Sequence, residues 1–277
     1  MTELIGQTVN GYTIKSLLGS GGQSVAYLAN HEKFDSDVVV RCALPEYVDD
    51  EETIQRLQIE ATIFFRLKHP HIVPLLDYWR DDEGVWLIQK YMAGGSLRDK
   101  ITIPHTLALT EIADMLDTVS QALEYAHHHN IIHRDIKPDN ILFDEANVAY
   151  VHDFGVAKRL KSDAITRSDV MIGSPAYFSP EQINKQTITP QTDVYIMGIT
   201  LFEAITGEHP FLSAHTKMQL ILKHLRSPLP SVSQYNIGIP HAIDNVLKIA
   251  TAKDPKERYP SMTALSNAFR NAIYTAG

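Results

Sequence analysis

The chain has 277 residues, 44% of them hydrophobic, enough for one large domain or two lobes sharing a cleft. Its formal charge of −8 argues against a nucleic-acid partner, because phosphate backbones need a basic surface. One cysteine, Cys42, excludes an intrachain disulfide framework and fits a reducing, cytoplasmic compartment; no apolar run reaches membrane-span length, and the first residues carry no signal-peptide pattern.

Tyr12–Leu18 alternates like a strand, Gly19-Ser20-Gly21-Gly22-Gln23-Ser24 is a glycine-rich turn, and Val25–Ala29 reads as the returning strand. Such a turn is either an ordinary hairpin connection or a phosphate cradle, since glycines let backbone N–H groups approach phosphates closely. The β-branched run Val38-Val39-Val40 leads a third strand through Arg41 and Cys42. Glu51–Lys68 carries Ile54, Leu57, Ala61, Phe64 and Phe65 at helical spacing, with Glu60 one turn before Phe64. A fourth strand starts near Leu75, and Val85–Gln89 is the fifth, after a turn at Asp81–Gly84.

Thr110 is the expected N-cap of a long helix to His129, with Glu111 in its first turn. Its apolar stripe is Ile112, Met115, Leu116, Val119, Leu123 and Ala126. His127-His128-His129 cannot all face one ion, because consecutive helical residues point in different directions. They read as favourable charges at a helix C-terminus.

The densest chemistry lies in His133-Arg134-Asp135-Ile136-Lys137-Pro138-Asp139-Asn140, with Asp153-Phe154-Gly155 beginning thirteen residues past Asn140. That spacing suits a hairpin with strands Ile141–Phe143 and Val148–Val151 around Asp144–Asn147, which returns Asp153 beside Asn140. Two oxygen ligands with a lysine and a second carboxylate nearby fit a magnesium–phosphate site. A polar stretch from Val156 to Ile172 follows, holding Thr166 and Ser168 among basic residues, and then Gly173-Ser174-Pro175-Ala176-Tyr177-Phe178-Ser179-Pro180-Glu181. Asp193–Thr206 is apolar nearly all round, the mark of a buried helix. Further helices are expected at 214–226, 241–250 and 262–273, with Asp254-Pro255-Lys256-Glu257-Arg258 between the last two.

Taken together from about Tyr12 to Ile273, these residues resemble the eukaryotic-type protein kinases. Lys137 is similar to the serine/threonine branch, and the paired glycines with Gly173–Tyr177 are similar to its bacterial members. The resemblance implies an α+β bilobal kinase fold over 12–273: a five-stranded antiparallel N-lobe with one helix (about 12–91), a hinge (about 90–95) and a mainly helical C-lobe (about 96–273). It implies ATP and Mg²⁺ as cofactors and a protein with Ser/Thr hydroxyls as substrate. Asp135 and Lys137 take the catalytic positions, and Asn140 and Asp153 the metal positions. Leu18, Gly19, Ser20, Gly21, Gly22, Ala26, Arg41, Glu60, Gln89, Lys90 and Met92 take the nucleotide positions, with Gln89 at the back of the adenine pocket. Thr166 and Ser168 are candidate self-phosphorylation sites in the activation segment, with Arg134 as the receiver of a phosphate. Asp193 would brace the catalytic loop, and Arg258 would pair with Glu181.

Four positions depart from the pattern. Ser24 replaces a glycine, Ala26 a valine, Ser179 an alanine and Arg41 the third-strand lysine. Arginine keeps the charge but is longer, planar and forked. A pseudokinase acting as a regulatory or scaffolding module is therefore the alternative to an active serine/threonine kinase. A kinase of small molecules fits less well, because Asp153–Glu181 resembles a peptide-docking design.

Overall fold

The computed structural model describes residues 4–21, 23–31, 36–101, 107–154, 175–214, 216–235 and 238–274. The chain divides into two compact units, 1–93 and 94–277.

The first unit is built on an antiparallel sheet of six strands in the order β1-β2-β3-β4-β6-β5. These are β1 (Thr8–Val9), β2 (Tyr12–Ser20), β3 (Ser24–His31), β4 (Asp37–Ala43), β5 (Leu75–Asp81) and β6 (Gly84–Lys90). The count exceeds the expected five by the short β1. The cause is Asn10-Gly11, both at positive φ (46° and 86°), which fold Thr8 and Val9 back onto Thr13 and Tyr12. Asn-Gly is the strongest short hairpin signal, because both central residues of the favoured turn need positive φ.

Register decides what each face of the sheet carries. Val25, Cys42 and Trp86 align across β3, β4 and β6, as do Tyr27, Val40 and Ile88, and together they form a buried cluster with Tyr12 and Ile14. The alternate positions show the other face, where Gly19 pairs with Ala26, Ala26 with Arg41, and Arg41 with Leu87. Helix α1 (Glu51–Arg66) starts at Asp50, whose carboxylate accepts from Thr53 N–H at 2.9 Å. It buries Leu57, Glu60, Ala61 and Phe64, and Leu57 and Ala61 pack with Ala43, Val85 and Leu87. Phe65 departs from the expected apolar face: it is 51% exposed, its ring edge-on to Tyr78.

The second unit begins with α2 (Leu97–Lys100) and α3 (Leu109–His128), followed by the hairpin β7 (Ile141–Phe143) and β8 (Ala149–Val151). Helix α3 starts one residue before the expected Thr110 cap. Its leading amide, Ala108 N–H, is held instead by the Glu111 carboxylate at 2.9 Å. The β7–β8 turn is organised by Asp144, which accepts from Ala146 and Val148 N–H groups, with Asn147 at φ 62°. Then come α4 (Pro180–Ile183), α5 (Pro190–Thr206), α6 (Lys217–Arg226), α7 (His241–Ala250) and α8 (Met262–Tyr274). Helix α6 begins three residues later than the sequence suggested, at a Thr216 cap. Residues Thr192–Ile205 of α5 are all buried, and the helix ends on Gly207 in the left-handed region. Helix α5 packs against α7, and α8 against α3. Among the described residues no helix is long and apolar enough to cross a membrane.

Gly94 lies against the end of β7. Its N–H donates to Phe143 O at 2.8 Å, and a Cβ there would sit 2.4 Å from Asp144 O and 2.8 Å from Phe143 O. Both neighbours are backbone, so neither can yield without moving the hairpin. Gly94→Ala should cost about 1–3 kcal/mol of stability, the usual range for forced overpacking. Thermal denaturation should show a midpoint lowered by several degrees.

Candidate active site

The segment from His133 to Asn140 has little regular structure, so its backbone needs partners from elsewhere. Asp193, on the first turn of α5, supplies them. Its Oδ2 accepts from His133 N–H at 2.9 Å and its Oδ1 from Arg134 N–H at 2.8 Å. The Nε2–H of His127, on the last turn of α3, donates to the same Oδ2 at 2.7 Å. Burial alone would raise the Asp193 carboxyl, but these bonds, His127 first, hold it below the usual carboxylate range. Arg134 sits at φ 67°, a costly conformation for a residue with a Cβ. It is pinned by its N–H to Asp193 and by Gln182 Nε2, which donates to its carbonyl at 3.0 Å.

The side chains expected to do chemistry converge on Asp135. Lys137 Nζ lies 3.2 Å from Asp135 Oδ2, and Asn140 Nδ2 donates to Asp135 O at 2.8 Å. With its amide nitrogen engaged, Asn140 presents Oδ1, a hard oxygen donor of the kind magnesium takes. His152 N–H donates to Asn140 O at 2.9 Å, which carries the end of β8, and Asp153 after it, alongside Asn140. Asp153 is at φ 54°. His133 donates from Nε2 to His152 O at 3.0 Å and accepts Asp135 N–H at Nδ1, so its neutral tautomer is fixed. Burial pushes its pKa down, and the Phe154 ring lies 4.7 Å away.

In the first unit, Arg41 Nη1 donates to Glu60 Oε1, and Arg41 Nε makes a long contact, 3.4 Å, with Ser24 Oγ. Glu60 is only 2% exposed, so it requires a cation, and removing one member of such a pair costs about 3–5 kcal/mol. Ser24, a departure from the glycine pattern, thus touches a second departure, Arg41. Leu18, Gly19, Ser20 and Gly21 are exposed at the β2–β3 connection, where Gly21 N–H donates to Ser24 O at 2.7 Å. Ala26 lies beside Arg41 in register, Gln89 and Met92 are buried, and Lys90 is exposed. Gly22, Thr166, Ser168, Gly173 and Ser174 lie outside the described residues. Cys42 takes no part: burial pushes its thiol up to about 12.

The end of the expected activation segment is firmly tied. Ser179 is the N-cap of α4, its Oγ accepting from Gln182 N–H, a role the alanine of the usual pattern cannot fill. Arg258 forks onto Glu181 at 2.7 and 2.8 Å and also donates to the carbonyls of Gln191 and Ala252. Glu181 is buried, yet the Arg258 guanidinium keeps its carboxyl below the ordinary range. Tyr177 OH donates to Glu203 Oε2, and Arg98 donates to both the phenol oxygen and Glu203.

Of the three adjacent histidines, His128 and His129 do lie at the helix end, on the carbonyls of Glu124 and Tyr125. His127, on the same last turn, has its side chain buried instead against Asp193 as the third hydrogen-bond partner of that carboxylate. The signal for it was present, since position 127 continues the buried stripe one turn after Leu123.

A glycine-rich connection between two strands, an arginine paired with a buried glutamate, and an aspartate–lysine–asparagine cluster followed by a second aspartate define the protein-kinase class. The comparisons agree. The chain matches the family described as "Protein kinase domain" over residues 12–269, and it belongs to that family. It is 37% identical to serine/threonine-protein kinase PrkC of Bacillus subtilis, over 98% of this chain and 42% of that protein. It is 32% identical to serine/threonine-protein kinase PknH of Mycobacterium bovis, over 97% of this chain and 45% of that one. The chain thus spans about two fifths of the length of these relatives. Among solved structures it is similar to a double mutant of the PknI kinase domain of Mycobacterium tuberculosis. There the TM-score is 0.76 at 25% identity, covering 97% of this chain and 98% of that one.

The buried ionisable groups set an acid limit on stability. His133, His209 and His224 are all held neutral by burial, with His224 at about 3. Between their folded and unfolded values the unfolded chain binds more protons, so stability falls as pH drops below about 6.5. Asp193 and Glu181 are depressed, so their contribution is complete above about pH 4 and is lost as pH falls through their folded values. Melting midpoints should therefore begin to fall just below pH 6.5 and fall further below pH 4. A flat profile between pH 6.5 and 4 would contradict the neutral histidines.

Proposed function

We propose that the chain is an active serine/threonine protein kinase domain that moves the γ-phosphoryl of ATP to protein hydroxyls. The carrying observation is the convergence of Lys137 and Asn140 on Asp135 within hydrogen-bond reach. Asp135 accepts or orients the proton of the incoming hydroxyl. Lys137 neutralises charge on the group in transit, and its contact with Asp135 sets it beside the attacking oxygen. Asn140 Oδ1 and the Asp153 carboxylate are the donors for magnesium, a fit based on their hard oxygens. Magnesium, when bound, offsets the negative charge of the phosphates. Arg41, steadied by Glu60, would contact the α- and β-phosphates, and the glycine-rich turn would cover them. Gln89, Lys90 and Met92, with Leu18 and Ala26, hold the base.

The named relatives are serine/threonine kinases, and that supports the same reaction here, in a cytoplasmic setting consistent with one buried thiol. The pseudokinase alternative rests on Arg41 alone. Self-phosphorylation at Thr166 or Ser168 is part of the proposal, with Arg134 receiving the phosphate.

Labelled-phosphate transfer from magnesium-ATP, onto the chain itself and onto casein, tests the reading. The native chain should transfer, Asp153→Ala should lose at least about 100-fold, and Arg41→Lys should stay within about 10-fold of native. Transfer by Arg41→Lys alone would make the native chain a pseudokinase silenced at one position.

A further inference from the structure

The turn Pro175–Tyr177 lies just ahead of Glu181, in the stretch that resembles a peptide-docking segment. Its central carbonyl, Ala176 O, accepts two imidazole hydrogen bonds. His209 Nε2, from the loop after α5, lies 2.7 Å away, and His224 Nε2, from α6, also lies 2.7 Å away. Neither histidine was singled out by the sequence reading.

The proton positions follow from the partners. His209 Nδ1 accepts Phe211 N–H at 3.2 Å, so its proton is on Nε2. His224 Nδ1 lies 3.0 Å from Tyr195 OH, and Lys253 Nζ donates to that phenol oxygen at 3.4 Å. Ala176 O can only accept, so the His224 proton is also on Nε2, which leaves Nδ1 to accept from Tyr195 OH; that hydroxyl also lies 3.4 Å from His224 O. The relay runs from Lys253 through Tyr195 and His224 to Ala176 O, with His209 closing on the same oxygen. His224 is fully buried and its pKa is about 3, lowered first by that burial, so it remains in the donating neutral form. The next residue, Tyr177, is fixed independently through Glu203 and Arg98.

We propose that His209 and His224 are positioning residues that jointly fix the Ala176 carbonyl, and with it the backbone surface on which the protein substrate docks. This rests on the proposed kinase function. Neither imidazole is assigned contact with ATP or the reacting hydroxyl. Their removal should therefore act on the protein substrate and not on the nucleotide.

The test is steady-state transfer to casein, varying casein and ATP in turn, for His209→Leu, His224→Leu and the glutamine variants of both. Leucine keeps bulk without a donor; glutamine returns an N–H near the Nε2 position. Each leucine variant should raise KM for casein about 5–10-fold, the equivalent of one hydrogen bond, with KM for ATP within about 2-fold. Glutamine should restore most of the loss. An unchanged KM for casein, or equal losses for casein and ATP, overturns the proposal. Amide hydrogen exchange of the same proteins supplies an arm that needs no activity. Tyr177 and Phe178 should exchange faster in the leucine variants while α5 is unaffected, and unchanged exchange at both amides also overturns the proposal. If the native chain transfers no phosphate, the kinase reading fails and the exchange arm still decides the positioning. If His224→Leu does not fold, the half-buried His209 variants carry the test.

Discussion

One buried carboxylate organises the second unit. Asp193 gathers two backbone amides and an imidazole, and each is a group that would otherwise be stranded away from water. An apolar residue at this place would leave three donors unsatisfied in the interior. The near-total burial of α5 makes that carboxylate a fixed point, because the helix carrying it cannot shift without disturbing its packing on every side. The left-handed backbone at Arg134 is affordable only because both its N–H and its carbonyl are claimed, by Asp193 and Gln182. From that anchored loop the order passes outward. His133 holds the carbonyl of His152, His152 holds that of Asn140, and Asn140 holds that of Asp135. Asp135 and Asn140 are thus placed by bonds to backbone carbonyls, and precision of this kind is what the proposed phosphoryl transfer would demand.

In the first unit the comparable constraint is sheet register. The pairing of Gly19, Ala26, Arg41 and Leu87 across neighbouring strands sets a small-residue lane beside a cation. Glu60, buried on α1, then fixes the guanidinium. An arginine in place of lysine therefore has a partner already built for a positive charge, its Nη1 on Glu60 and its Nε near Ser24 Oγ. Two of the four departures from the family pattern, Ser24 and Arg41, thus touch each other.

Much of this was legible in the sequence because it was local. The β7–β8 hairpin followed from Asp144–Asn147 and the distance between Asn140 and Asp153. Helix α5 followed from its unbroken apolar run, and the Arg258–Glu181 pair from family resemblance. What was missed depends on long-range pairing or on a cue that was passed over. His127 and Asp193 lie 66 residues apart, and nothing local joins them. Yet His127 extends the buried stripe of α3, which should have argued against a solvent-facing cap. Asn10-Gly11 announced a hairpin. Glu111 pointed back three residues to the true N-cap at Ala108. The double imidazole contact at Ala176 could not have been read, because His209 and His224 reach it from separate segments.

The central claim is that the braced loop presents Asp135 to an incoming hydroxyl. The most direct measurement is the rate of phosphate transfer by Asp135→Asn at saturating magnesium-ATP, with nucleotide affinity measured on the same protein. Asparagine preserves size and can still accept from Lys137 while removing the basic carboxylate. The account predicts transfer reduced by about 10²–10⁴-fold, with ATP affinity held within a few-fold. Transfer at close to the native rate would contradict it and would move the catalytic role away from Asp135.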